Sequence, residues 1–381
     1  MNITHIMAQT MYTQDMYMLI NTCFDGTEHK FCTGHAKRKD SLAPIGLNQA
    51  KGNAEVINPK HFIRYIKNLD ACDAIILHGL FNFKHFIFIS RKKEWLEKTC
   101  WVIWGGDIYR YNEKSNRWGV KLTEYLKQKY ACQIGYVATL VDKDLPLARQ
   151  WYHVGGKHFS LSYPLPIQRP GVMQKLTDKG NKKGFGKKTV KVMLGNSATL
   201  TNCHMDALQE LAAFAPEDMK LYIPLTYGFK GYEEYREMVV QEAVRIFGEH
   251  KVVPVTESMD GEAYSEFISD MDIGIFYNDR QQAMGNIAIA LASGVKIYIR
   301  NDTTMWGNYE GRGFRIENAF TLSEETFDTF RYYDPVKKEK NMALIRKYTD
   351  INLIRDKWKQ LFTEMTAVET QNNSNLRGDL L

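Results

Sequence analysis

The stretch from Met271 to Asn301, MDIGIFYNDRQQAMGNIAIALASGVKIYIRN, restricts the possible folds more than any other part of the chain. Two short runs, Asp272 to Tyr277 and Val295 to Arg300, have the apolar, β-branched and aromatic content of strands. Between them Ala283 to Ser293 is apolar almost all round, through Met284, Ile287, Ala288, Ile289 and Leu291. That suits a helix buried in a large domain, and Gly294 is placed to end it. Strand, helix and strand of these lengths make a βαβ crossover, so the two strands are parallel. In open parallel sheets ligands bind beyond the carboxyl ends of the strands, which places Asn278 to Gln282 at a binding edge. Arg280 carries a fork of N–H donors, Gln281 and Gln282 carry amides, and a helix start presents unpaired backbone N–H groups. Together these suit an anion. An ordinary polar turn would carry the same residues, so a second loop decides.

That loop follows Val190 to Leu194, which reads as a strand. Gly195-Asn196-Ser197-Ala198-Thr199-Leu200-Thr201-Asn202 is made of small residues, and a helix follows through Met205, Leu208, Leu211 and Ala212, with Thr201 or Asn202 as its N-cap. Two strand-to-helix loops of this type in one domain open onto the same sheet edge and can share one anionic ligand. Met219 to Leu225 adds a strand that ends in Pro224-Leu225-Thr226-Tyr227-Gly228. Further on, Tyr232 to Phe247 is helical, Val252 to Thr256 extended, and Gly261 to Asp270 helical.

The first half alternates in the same way. Strands fit Ile3 to Met7, His29 to Thr33, Ala54 to Ile57, Ala74 to Leu80, Cys100 to Trp104 and Ile134 to Ala138. Helices fit Tyr12 to Cys23, a segment opened by Pro59, and Leu145 to Trp151. The expected class is therefore α/β, with two doubly wound, Rossmann-like domains, and 381 residues is the length of roughly two domains. Their expected limits are 1–167 and 189–340, joined by a basic linker over 168–188 that begins among Pro164, Pro166 and Pro170 and continues in DKGNKKGFGKK. A helix over 341–366 is placed to cross back toward the first domain, and the polar tail 367–381 is expected to be disordered.

Two strand ends of the first half carry reactive side chains. AIIL runs into His78-Gly79-Leu80-Phe81-Asn82, and WVIW runs into Gly105-Gly106-Asp107-Ile108-Tyr109. His78 and Asp107 are the candidate catalytic residues, because both fall at one edge of the inferred sheet. A satisfied polar histidine and an Asx-turn aspartate are the competing readings.

A net charge of +6 is modest for this length and does not resemble that of a nucleic-acid-binding chain. The six cysteines are scattered without a C-x-x-C pair, which points to neither a zinc site nor a disulfide framework. No run approaches the ~20 apolar residues of a membrane span, and MNITHIMAQT lacks the pattern of a secretory signal, so a cytoplasmic location is expected. Arg117 to Cys132 is a basic amphipathic segment with Trp118 near one end. It suits contact with an anionic membrane surface, although a solvated helix on its own sheet would look alike.

Several of these motifs resemble one known family. GNSATLTNCHMDAL (Gly195 to Leu208), IPLTYG with EEYREMV (Ile223 to Val239) and DIGIFYNDRQQAMGNIAIALASGVKIYIRN (Asp272 to Asn301) look like second-domain motifs of glycosyltransferase family 56. HGLFN and WGGDIY look like its first-domain motifs. The resemblance runs from about Ile3 to Trp306 and implies a GT-B architecture whose two domains face across a cleft, with acceptor mainly on the first and nucleotide-sugar mainly on the second.

The family's known member adds 4-acetamido-4,6-dideoxygalactose from a dTDP-sugar to a lipid-linked intermediate of enterobacterial common antigen. The resemblance implies an inverting transfer without metal or other cofactor. Its partners would be a dTDP-sugar donor and a polyprenyl-diphosphate-linked glycan at the inner face of the cytoplasmic membrane. Gly195, Asn196, Ser197, Thr201, Tyr227, Arg280, Gln281, Gln282 and Asn286 would bind the donor. Between Asp107 and His78 the general base is left open. A nucleotide-sugar epimerase on the same scaffold and a non-catalytic membrane-surface protein are the alternatives.

Overall fold

The computed structural model describes residues 1–8, 11–24, 28–34, 54–57, 62–81, 83–113, 115–184, 189–229 and 231–378. The chain divides into two compact units, Met1–Leu165 with Ile351–Leu381, and Pro166–Asp350.

The first unit is built on a seven-stranded sheet. Its strands are β1 (Asn2–Ala8), β2 (Glu28–Gly34), β3 (Ala54–Ile57), β4 (Ala74–His78), β5 (Thr99–Ile103), β6 (Tyr136–Thr139) and β7 (Lys157–Ser160), in the order β3-β2-β1-β4-β5-β6-β7. The second unit has β8 (Val190–Leu194), β9 (Met219–Pro224), β10 (Val252–Val255), β11 (Ile273–Phe276), β12 (Lys296–Ile299) and β13 (Glu317–Asn318), in the order β10-β9-β8-β11-β12-β13. Every described pairing is parallel. Parallel strands need crossovers, and helices on both faces cover the sheet, so central strands are buried on both sides. Every residue of β4, β5, β11 and β12 is buried, which is why AIILH, TCWVI, IGIF and KIYI are continuous rather than alternating runs.

Three expectations about the chain's organisation are corrected. The basic segment 168–188 is not a plain linker, because Val172–Lys182 is an α-helix of the second unit with Leu176, Thr177 and Gly180 buried. Small residues pack this helix. A Cβ on Gly180 would meet the Ser293 carbonyl carbon at 2.9 Å, a close approach that a search for apolar periodicity overlooks. Residues 185–188 lie outside the described part, as does Pro59.

The single helix expected over 341–366 is two. Pro335–Tyr348 belongs to the second unit, with Asp334 as N-cap and Pro335 in the first turn. After Thr349 and Asp350 the helix Ile351–Gly378 belongs to the first unit, and its backbone continues past 367, where a disordered tail was expected. The strands β7 and β13 have no counterpart among the strands expected from sequence, being short and poor in apolar residues.

The helix Ile351–Gly378 buries Ile354, Trp358, Leu361, Phe362 and Met365 in the core of the first unit. These positions follow the i, i+4, i+7, i+8, i+11 spacing of one helix face. The Trp358 indole donates to the Ser162 carbonyl at 2.9 Å. Replacing Trp358 by Ala is expected to destabilise the first unit by about 3–5 kcal/mol, seen as a lower urea midpoint, with Trp358→Phe costing less.

Candidate functional site

Strand order alone locates the site in the second unit. From the central β8 the chain winds outward to β9 and β10, and it then crosses to β11 on the other side of β8. The loops after β8 and β11 therefore leave neighbouring strands at one edge and diverge, which opens a crevice at the topological switch point. β8 and β11 are paired in register, and the Gly195 N–H continues the ladder to the Ile275 carbonyl at 2.9 Å.

The loop after β8 turns at Gly195, whose φ is +71°. A Cβ there would lie 2.7 Å from His204 Nε2 and 2.8 Å from Asn202 Oδ1, so no larger residue fits without movement. Asn202 ties the loop to itself: its Oδ1 accepts from the Asn196 N–H at 2.9 Å, and its Nδ2 donates to Ser197 Oγ at 3.1 Å and Thr199 Oγ1 at 2.8 Å. Neither Thr201 nor Asn202 caps the following helix. A 3-10 turn, Leu200–Asn202, and a left-handed Cys203 intervene before His204–Leu211, because the Asn202 amide serves the loop instead.

The loop after β11 closes on this one through Gln282. Its Nε2 lies 3.1 Å from Asn196 Oδ1, 3.1 Å from Ser197 Oγ and 3.2 Å from Thr199 Oγ1, and its Oε1 accepts from Thr201 Oγ1 at 2.7 Å. The Asp279 N–H donates to the Thr201 carbonyl at 3.0 Å. A third loop joins from β9: Asn196 Nδ2 donates to the Tyr227 hydroxyl at 3.1 Å, and the Ala198 N–H donates to the Tyr227 carbonyl at 2.7 Å. Gly195, Asn196, Ser197, Thr201, Tyr227 and Gln282 are thus gathered at one point.

Arg280 and Gln281 stand beside them. Arg280 Nη1 donates to the Gln281 carbonyl at 3.2 Å, while Gln281 is only 3% exposed and its Oε1 has no hydrogen-bond partner. The helix Met284–Ala292 begins directly after, behind a left-handed Ala283, and its first N–H groups have no acceptor within the helix. Asn286 is the exception among the expected donor residues. Its Nδ2 donates to the Tyr264 hydroxyl at 2.9 Å, so its amide is directed to a neighbouring helix and not into the Gln282 network.

Sequence reasoning named Thr199 and Asn278 only as members of their loops, and it assigned Asn202 a different task. Asn278 is fully buried, with Nδ2 3.5 Å from Asn196 Oδ1. Their signal was the run of small hydroxyl and amide residues itself. The two Asp-x-Asp triplets of the chain lie elsewhere. Asp270-Met271-Asp272 precedes β11 at the opposite end from the loops, with Asp270 paired to Lys179 and Asp272 Oδ2 accepting from the Lys191 N–H. Asp142-Lys143-Asp144 lies in the first unit, where Asp142 accepts from Thr139 and Ser160 and Asp144 from Tyr109.

In the first unit both catalytic candidates are bound into the interior. Asp107 is 0% exposed. Its carboxylate accepts from the Leu80 N–H at 2.9 Å, the Trp101 indole at 2.7 Å and the Trp104 N–H at 3.0 Å, and it therefore braces the loops after β4 and β5. His78 is buried in a chain of rings that crosses three adjacent strands. His78 Nε2 meets His5 Nδ1 at 2.9 Å, His5 Nε2 meets His29 Nδ1 at 2.9 Å, and His78 Nδ1 meets the Tyr163 hydroxyl, which also accepts from the Trp104 indole at 2.9 Å. Both carboxylate oxygens and both ring nitrogens are thus engaged within the unit. Burial holds His78 down at about 3 and His29 at about 4, and it holds His5 well below its usual range, so the rings are neutral.

The chain is similar in fold to known proteins. It resembles the structure of HepE from Anabaena in complex with UDP and glucose, with a TM-score of 0.66 and 12% identity over 96% of this chain and 100% of that one. It also resembles an α,α-trehalose 6-phosphate synthase from Burkholderia multivorans (TM-score 0.63, 10% identity, 98% of each chain) and a glycosyltransferase from Rickettsia africae (0.62, 12%, 96% and 98%). The fold is that of the two-domain GT-B glycosyltransferases. Residues 27–322 match the family described as 4-alpha-L-fucosyltransferase, glycosyl transferase group 56, and the chain belongs to that family. It is a glycosyltransferase.

The buried histidines make stability depend on pH with a definite sign. A histidine kept neutral in the folded state but free to protonate when unfolded contributes fully above pH 6.5, and its contribution is lost as the pH falls toward the folded value. The chain of His5, His29 and His78, together with His204 at about 3, should therefore weaken the fold between pH 6.5 and 4. Each neutral ring adds up to about 1.4 kcal/mol per pH unit. Urea midpoints at pH 7.5 and 5.5 measure the drop, which His5→Phe should reduce.

Proposed function

We propose that this glycosyltransferase moves an amino-deoxy sugar of the 4-acetamido-4,6-dideoxygalactose type from a dTDP-sugar to a polyprenyl-diphosphate-linked glycan of a bacterial surface polysaccharide. The transfer is a single, inverting displacement that needs no metal. The observation that carries this reading is Gln282, which joins the loops after β8 and β11 at the switch point and so forms one polar cradle.

Support for the donor class comes from the chemistry of that cradle. Its groups are amides, hydroxyls and backbone N–H groups, with Arg280 two residues before Gln282 in the same loop, all of types that meet phosphate oxygens. Charge that develops on the departing diphosphate is met by the Arg280 guanidinium, the Gln281 and Gln282 amides and the helix start at Met284, and no cation is required. The description of the family names fucosyl transfer, and fucose is a 6-deoxyhexose like the proposed sugar. HepE was solved with UDP, a pyrimidine nucleoside diphosphate as dTDP is. The second unit takes the donor and the first takes the acceptor. A group other than Asp107 or His78 removes the acceptor proton, since both are engaged inside the first unit. A lipid-carried acceptor brings the reaction to the inner face of the cytoplasmic membrane. No helix among the described residues is long and apolar enough to cross a membrane.

Purified protein given the dTDP-sugar and lipid-linked acceptor should release dTDP, and calorimetry should show dTDP binding. Arg280→Ala is expected to cut turnover by about 10²–10³, the range for loss of one preorganised donor. Undiminished turnover would remove Arg280 from the diphosphate role. Conversion of donor without acceptor would point to an epimerase, and absence of any nucleoside diphosphate binding would point to a non-catalytic protein.

A further inference from the structure

The helix Trp118–Tyr130 follows β5 and precedes β6 in the first unit, and those strands are parallel neighbours. The helix must therefore run back against the strand direction, with Trp118 toward the carboxyl edge of the sheet, where β4 and β5 end. It packs on the unit through Thr123, Leu126 and Lys127. Its other face is a single exposed stripe at i, i+3, i+7 and i+11: Trp118, Lys121, Tyr125 and Lys129, with Arg117 just ahead of it. Trp118 is 69% exposed and Tyr125 56%, unusual for side chains of that size.

Charge on this stripe has one sign. Arg117, Lys121 and Lys129 are exposed, and the helix's only carboxylate, Glu124, is turned inward to Lys127 and the Tyr152 hydroxyl, both at 2.5 Å. A solvated helix would ordinarily mix signs and would not present large aromatics beside them. Aromatic rings interleaved with cations on a helix lying flat suit the headgroup level of a bilayer, where rings enter the acyl boundary and ammonium groups meet lipid phosphates.

We propose that the stripe of Arg117, Trp118, Lys121, Tyr125 and Lys129 is a docking surface for an anionic phospholipid membrane. This inference rests on the reading of a lipid-carried acceptor and adds where the protein meets the lipid. Trp118 is the end of the stripe toward the carboxyl edge of the first unit's sheet, so a glycan carried on a lipid of the docked membrane would meet the first unit at that edge.

The test uses the whole protein and sedimentation with vesicles of phosphatidylcholine alone or with one third phosphatidylglycerol. Binding is expected only to the anionic vesicles and should fall steeply with salt. Trp118→Ser with Tyr125→Ser, and separately Lys121→Glu with Lys129→Glu, should each lower the partition coefficient by about tenfold or more. Both pairs are surface changes that should leave the urea midpoint and dTDP binding unaltered. Wild-type protein that ignores anionic vesicles, or variants that bind them undiminished, would overturn the proposal. So would a dimer of the wild type that the variants disperse, because a second copy would then own the surface. Vesicle binding without dTDP binding would instead sink the proposed function and leave the docking surface standing.

Discussion

The primary amide of Gln282 is the contact on which the second unit's site depends. Each strand-end loop alone is a common βα turn, and topology brings two of them only to adjacent exits. One side chain whose two amide N–H groups are shared among Asn196, Ser197 and Thr199, and whose carbonyl oxygen accepts from Thr201, turns adjacency into a single surface. These are neutral hydrogen bonds, each worth about 0.5–1.5 kcal/mol net, whereas bonds to a charged oxygen are worth about 1.5–3 kcal/mol. On the proposed reading, a donor phosphate replaces some of them at a gain. The groups are already oriented by one another, so little reorganisation is left for the moment when charge develops.

The two units share one winding order on either side of their central strands, and in both the polar residues at the strand ends are buried and bonded to other parts of the chain. In the second unit Asn196, Ser197 and Gln282 bond to one another across loops that diverge at an edge. In the first unit Asp107 bonds inward to Trp101 and to the backbone of two loops, and His78 bonds inward to His5 and Tyr163. A carboxylate with three N–H donors and no exposure is a brace. A histidine pushed down to about 3 by burial is a neutral spacer in a hydrogen-bonded row and a poor proton acceptor.

Much of this was legible in the sequence. Continuous apolar runs such as AIIL and IGIF located the central strands to within a residue or two, and Gly294 ended its helix as expected, with φ +67°. The two loops that meet at Gln282 were legible because their chemistry is local, each sitting within ten residues of one strand end. What stayed hidden depended on distance along the chain. His5, His29 and His78 look unrelated until parallel pairing sets them side by side. Asp107 looked available because the indole and amides that occupy it come from Trp101, Trp104 and Leu80. The helix Val172–Lys182 looked like a linker because glycine and lysine dominate it. Its packing rests on a glycine pressed against Ser293 and Gly294, a contact no periodicity reports.

The left-handed residues show why the site's backbone resisted reading. Cys203 at φ +48° and Ala283 at φ +58° each stand just before a helix that starts at a site loop, and both are residue types that avoid this conformation. Such strain costs on the order of 1 kcal/mol or more and persists only where surrounding contacts over-determine it. At Cys203 the Asn202 side chain holds the preceding turn, and at Ala283 the Gln282 side chain holds the preceding residue to the other loop. The same amides that shape the cradle thus fix the angle at which both helices leave it. Both helix starts are aimed by the residues that would touch a ligand, so the backbone N–H groups and the side-chain donors form one device.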